Sequence, residues 1–144
     1  MKILVKKLRP DAALPTAGSA YAAGYDLRAC MDAPMDIPPH ATVMLGTGLS
    51  IAVPEGYFGA IFARSGLASK QGLRPANCVG VCDSDYRGEY IIAIHNDSGE
   101  TRTVSPGDRI AQLVVLPCVS AEFAEADALP DTDRGAGGFG STGV

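Results

Sequence analysis

The chain has 144 residues, enough for one domain with a core of its own. Its composition, 47% hydrophobic and 19% charged with no Trp, is that of a globular protein. A net charge of −4 leaves no basic footprint for a nucleic acid. The 17 Gly and 10 Pro argue against long helices and for short strands joined by tight turns.

In chain order, strands are expected at residues 3–8 and 25–29. The stretch Val43, Leu45, Thr47, Leu49, Ile51, Val53 alternates strictly, as one strand or as two bent at Gly46 and Gly48. Tyr57 to Ala63 follows the turn Pro54-Glu55-Gly56. One brief helix is expected near Leu67 to Lys70, stopped by Gly72. Asn77 to Cys82 and Thr101 to Val104 read as short strands. Glu89 to Ile94 and Ile110 to Leu116 are near-continuous apolar runs, as in strands covered on both faces. Turn chemistry at residues 83–88, 96–99 and 105–108 separates them. The expected class is all-β, a jelly-roll sandwich or barrel with at most one short helix. Residues 1–130 form the expected domain, and residues 131–144 an arm.

No apolar run is long enough to span a membrane, and Met1 to Lys7 lacks the apolar length of a signal peptide, so a cytoplasmic location is expected. Cys30, Cys78, Cys82 and Cys118 then read as free thiols, because neither a secretory context nor zinc-ligand spacing supports another use. The arm holds five glycines with Phe139 among them. Its Gly135-to-Gly140 run formally matches GxGxxG, but the four residues after it are too few for the helix that motif needs. Arg134, Ser141, Thr142 and the backbone amides instead make an anion-wrapping set.

Four further segments carry polar groups against the strand background. They are Ala23-Gly-Tyr-Asp-Leu27, Ala63-Arg-Ser-Gly-Leu-Ala68, Gly80-Val-Cys-Asp-Ser-Asp-Tyr-Arg-Gly-Glu89 and Gly107-Asp-Arg-Ile-Ala-Gln112. Singly, each has a plain alternative: Asp26 and Asp83 as turn formers, Arg64 to Gly66 as an ordinary loop, Gln112 as a residue satisfying a strand edge. In this order, and with the tail, they resemble the five motifs of the trimeric deoxyuridine triphosphatase (dUTPase) family, from Lys2 to Val144.

The resemblance implies a jelly-roll homotrimer that hydrolyses dUTP to dUMP and pyrophosphate with Mg²⁺ on the triphosphate. That activity limits uracil in DNA and supplies dUMP for thymidylate synthesis. It implies active sites between subunits, each closed by an arm from another chain. Asp83 matches the base that activates the attacking water, a role open to a carboxylate ionised at neutral pH. Arg64, Ser65 and Gly66 match the phosphate grip, and Gln112 a residue near the α-phosphate. Asp26 matches a residue that either meets the metal through water or is a structural turn carboxylate. Asn77 and the main chain at Val81, Cys82 and Ile91 match the uracil reader, and Tyr86 the support for deoxyribose. Phe139 matches a ring stacked on uracil; Arg134, Gly137 and Gly138, with Ser141 and Thr142, match the phosphate wrap. Ala63 stands where the family often has Pro, and Cys82 where it usually has Ile. The Cys82 thiol is expected to be buried and inert, and activity to survive the change. The alternatives are an enzyme of the related dCTP deaminase branch and a non-catalytic nucleotide-binding regulator.

Overall fold

A computed structural model describes residues 1–138. Phe139, Ser141 and Thr142 lie outside the described residues. The strands are β1 (Leu4–Lys7), β2 (Thr16–Ala17), β3 (Tyr25–Arg28), β4 (Met35–Ile37), β5 (Thr42–Gly46) and β6 (Leu49–Ala52). They continue with β7 (Tyr57–Phe62), β8 (Leu73–Pro75), β9 (Val79–Cys82), β10 (Ile91–Asn96), β11 (Arg102–Val104) and β12 (Arg109–Pro117). Helix α1 (Ser65–Gln71) is the one helix among the described residues. The expected all-β jelly roll with a single short helix is what forms. The short strands β2, β4 and β8 lack enough residues for a readable alternation, and the sequence did not announce them.

Four antiparallel groups wrap one core: β1-β6, β5-β10-β8, β11-β4 and β2-β3-β12-β7-β9. Leu27, Ile37, Leu49, Ile51, Leu73, Ile94 and Ile110 are almost wholly buried there. The alternating stretch at residues 43–53 is two strands, bent where Gly48 takes a left-handed φ of 66°. A side chain at Gly48 would also strike Ala12 and Cys30, so the bend requires glycine on two counts. Helix α1 starts earlier than expected, taking in Ser65 and Gly66, and ends where Gly72 (φ 71°) returns its N–H to the Ala68 carbonyl.

The two apolar runs differ from expectation. Strand β10 alternates, with Ile92, Ile94 and Asn96 buried while Ile91 is 48% exposed. Strand β12 is buried at Ile110, Ala111 and Leu113 and only half-buried from Val114 to Leu116. Within this single chain, one face of each strand is covered incompletely. The apolar character of the other face is therefore not explained by the chain's own core.

One buried polar residue ties the groups together. Asn96 is fully buried at the end of β10. Its amide donates to the carbonyls of Ile37 (2.9 Å), Pro38 (3.2 Å) and Glu100 (2.8 Å), and its Oδ1 accepts from the Ser98 N–H and hydroxyl. The side chain thus joins the ends of β4 and β10 to the following turn. Asn96→Ala would leave several buried carbonyls and donors unpaired. We expect a loss of about 3 kcal/mol, seen as a lower urea midpoint at unchanged m-value.

Candidate active site

Strand β12 organises the first group of polar residues. It lies between β3 and β7, with Gln112 opposite Asp26 on one side and opposite Phe62 on the other. Gln112 is therefore on an interior strand, which corrects the strand-edge reading. Asp26 lies within β3 and not in a turn. Residues 109 and 112 would normally face opposite sides of the sheet. The register shift between Arg109 and Ala111 inserts one extra residue, and that bulge brings the Arg109 guanidinium to the Asp26 side.

Arg64 leaves the end of β7 on the same face. Its Nε donates to Asp26 Oδ1 at 2.7 Å, and Arg109 Nη1 lies 3.3 Å from Asp26 Oδ2. Gln112 Nε2 donates to the Ala63 carbonyl at 2.9 Å, which fixes the point where Arg64 departs. That bond uses a carbonyl that proline also has, so the residue type at Ala63 is immaterial to it. A side chain at Gly24 would collide with the Gln112 amide oxygen and displace that side chain. Ser65 and Gly66 sit exposed in the first turn of α1. The result is a locally cationic surface on an acidic chain: two guanidiniums share one carboxylate, beside exposed hydroxyl and amide donors.

The second group surrounds a cavity of about 430 Å³ lined by Asn77, Val81, Cys82, Asp83, Tyr86, Glu89, Tyr90 and Ile91, with Ile61 and Ile92 among the apolar walls. Its shape follows from incomplete pairing. Strand β9 pairs with β7 on one side only, and β8 reaches β10 only from Ile94 onward. The edges of β9 and early β10 therefore face this cavity without closing a ladder on each other. Free strand edges present N–H and C=O groups in alternation, a template for a planar hydrogen-bonding partner. The turn at the tip is tight. Cys78 adopts φ 62°, and the Val79 N–H reaches the Asn77 carbonyl at 2.6 Å.

Asp83 is the first residue after β9, exposed at the mouth of this cavity. Among the described residues its carboxylate accepts no hydrogen bond, leaving both oxygens open to water. The Tyr86 hydroxyl donates to the Glu89 carbonyl at 2.9 Å, and its ring lies 6.0 Å from that of Tyr90. A side chain at Gly88 would strike the Tyr86 ring and hydroxyl and displace them. Burial raises the Cys82 thiol above its ordinary value, as expected for an inert group, and raises the Tyr90 phenol as well. The Tyr90 hydroxyl is buried and makes no full hydrogen bond among the described residues.

The structure thus gathers Asn77, Val81, Cys82, Asp83, Tyr86 and Ile91 at one cavity and Asp26, Arg64, Ser65, Gly66 and Gln112 at another place. Within one chain the two groups do not line a common space: the cavity beside Arg64, of about 250 Å³, is bordered by Arg109 and Asp108 instead. Arg134 stands apart from both, its Nε turned back onto the Gly137 carbonyl at 2.8 Å, with Gly138 the last described residue. Arg109, Glu89 and Tyr90 had no assigned role in the sequence. Arg109 becomes visible only once the bulge is known. Tyr90 was hidden in an apolar run.

Among the described residues no group of three or more His, Cys, Asp or Glu could hold a metal ion. Asp26, with a guanidinium on each oxygen, is not a free ligand. The donor set does not suit a resident divalent cation.

All four cysteines are free thiols. Exposed Cys78 should alkylate before Cys82, whose labelling should rise only at alkaline pH; mass spectrometry after timed iodoacetamide treatment measures the order.

The dUTPase family model matches residues 10–143. The chain is 51% identical to the deoxyuridine 5'-triphosphate nucleotidohydrolase of Desulfitobacterium hafniense, over 100% of this chain and 97% of that protein. It is 46% identical to the enzyme of that name from Coxiella burnetii, over 99% and 95%. Among solved structures it resembles the Staphylococcus bacteriophage 80alpha dUTPase with dUpNHpp, with TM-score 0.86, 28% identity and 99% of both chains covered. It also resembles a dUTPase variant from phage phi11 of S. aureus that coordinates a structural Mg(II) ion, with TM-score 0.78, 25% identity and 89% and 98% covered. With a family model spanning nearly its whole length and relatives this close, the chain belongs to the dUTPase family.

Proposed function

We propose that this chain hydrolyses dUTP to dUMP and pyrophosphate, by attack of a water held by Asp83 on the α-phosphorus. The observation that carries the reading is the cavity between the open edges of β9 and β10, with the unpartnered Asp83 carboxylate at its mouth. Uracil presents an N3 donor between two carbonyl acceptors, which suits the alternating groups of a strand edge at Val81, Cys82 and Ile91, with Asn77 beside them. Cytosine reverses part of that pattern and would leave buried groups unpaired. The tight hairpin leaves no space for the thymine methyl group. Tyr86 supports the deoxyribose from the cavity wall and excludes a 2′-hydroxyl.

Arg64, Ser65 and Gly66 grip the phosphates, with Asp26 and Arg109 orienting the Arg64 guanidinium. Gln112 sits beside the α-phosphate end of this surface. Mg²⁺ enters with the triphosphate as part of the substrate, neutralising charge on the phosphate oxygens, and meets Asp26 only through water. The product dUMP is the precursor for thymidylate, and removal of dUTP keeps uracil out of DNA.

The separation of the two groups within one chain supports a homotrimer whose sites lie between subunits. Residues 118–138 add to this. They hold no helix or strand, and Val119, Phe123 and Leu129 are 92%, 96% and 84% exposed. Apolar side chains left bare along one segment suit a path across another copy of the chain. The arm of residues 131–144 then closes a neighbouring site, stacking Phe139 on uracil and wrapping the phosphates with Arg134, Gly137, Gly138, Ser141 and Thr142. No helix among the described residues is long and apolar enough to cross a membrane. A cytoplasmic location goes with a nucleotide substrate.

Pyrophosphate release with Mg²⁺ should favour dUTP over dCTP, dTTP and UTP by about 10³-fold or more in kcat/KM. Equal rates on all four would overturn the recognition argument, and ammonia from dCTP would place the chain in the deaminase branch. Asp83→Asn should lower kcat by about 10²-fold or more while dUTP still binds, measured by calorimetry; full turnover would remove the base. Deletion of residues 134–144 should abolish most turnover and leave the melting curve nearly unchanged. Normal turnover would exclude a closing arm.

A further inference from the structure

The loop that carries Asp83 and Tyr86 is held at its two ends in different ways. At its start, β9 is laddered to β7, from Cys82 opposite Gly59 to Val79 opposite Phe62. At its end, the loop is held by the bend between β5 and β6. There Ser50 Oγ donates to the Arg87 carbonyl at 2.8 Å, and Thr47 Oγ1 donates to the Tyr90 carbonyl at 2.8 Å. The Tyr90 N–H reaches the Leu49 carbonyl at 2.8 Å. Between these, the Glu89 side chain reaches the bend, where its Oε1 accepts the Gly48 N–H at 2.7 Å.

The space for that carboxylate is built into the bend. A Cβ placed on Gly46 would lie 2.6 Å from Glu89 Oε1, and its three nearest neighbours would all be atoms of Glu89. The Gly48 N–H, pushed out of any ladder by the left-handed turn, has this carboxylate as its partner. Glu89 also contributes the carbonyl that receives the Tyr86 hydroxyl. One residue therefore meets both the bend, through its carboxylate, and the tyrosine side of the loop, through its carbonyl.

We propose that Glu89 is a positioning residue for the hydrolysis: its carboxylate pins the far end of the Asp83–Gly88 loop to the β5–β6 bend and so sets where Asp83 holds its water. This rests on the reading of Asp83 as the base. The base-reading edges keep their own ladders, β9 to β7 and Ile91 to Gly46 of β5, so loss of the Glu89 contact moves the chemistry more than the binding.

Glu89→Ala should lower kcat by about tenfold or more, since small misplacements of a reacting group are costly, with KM for dUTP within about threefold. Glu89→Gln keeps an oxygen for the Gly48 N–H and should restore kcat to within about threefold of the native value. Gly46→Ala should reproduce the Glu89→Ala loss by displacing the carboxylate. The Gly46→Ala/Glu89→Ala double variant should be no worse than Glu89→Ala alone, because the methyl group then has nothing to displace. Circular dichroism and melting curves check that each variant folds, and Gly46→Ala carries the test should Glu89→Ala not fold.

Three results would overturn the proposal: unchanged kcat in both single variants, additive losses in the double variant, or Gln behaving as Ala does. Asp83→Asn run alongside separates the two claims. Full turnover there would refute the base assignment itself, whereas a dead Asp83→Asn beside a normal Glu89→Ala and Gly46→Ala would refute only the clamp.

Discussion

Strand β12 hydrogen-bonds on both sides at once, and the candidate phosphate surface depends on that double pairing. With β3 on one side and β7 on the other, residue 112 is bound to stand between Asp26 and the end of β7. A slip of one residue would turn every side chain of the strand to the wrong face, so register is fixed by the burial of Ile110, Ala111 and Leu113 as much as by the ladder. The core thus positions the polar residues without touching them. The bulge near Ile110 is the single departure, and it adds Arg109 to the set.

The second group depends on the opposite device, pairing that is withheld. Open edges are usually a hazard, because they invite another chain to add a strand. Here the edges of β9 and β10 border a cavity with aromatic and aliphatic walls. On the proposed reading, rejecting the wrong base needs no dedicated charged side chain. It follows from the fixed order of donors and acceptors along a backbone, which mutation of side chains alters little. The Cys82 thiol, half-buried beside that edge, is raised above its ordinary value by burial.

Much of this was legible in the residues. Alternation at residues 43–53, turn chemistry and the Gly72 stop gave the strands and the helix, because each is a local property of the chain. The motif residues at the cavity and at Arg64 were legible through family likeness. Pairing was not. Nothing local tells Gln112 that its neighbours are Asp26 and Phe62, or that a bulge will swing Arg109 inward. Glu89 was readable only as the end of a motif; its contact with Gly48 spans a distance in sequence that no spacing rule covers. The apolar runs at β10 and β12 misled in one respect, since an apolar residue signals burial without saying whose surface covers it.

That last point bears on the stretch after Pro117. A segment whose apolar side chains find no cover among the described residues would, in the proposed trimer, gain it from another copy, and its share of the folding free energy would then scale with the logarithm of protomer concentration. For such a protein, dilution acts as a denaturant. In the proposed trimer, the amount of protein present would set how firmly each copy is folded.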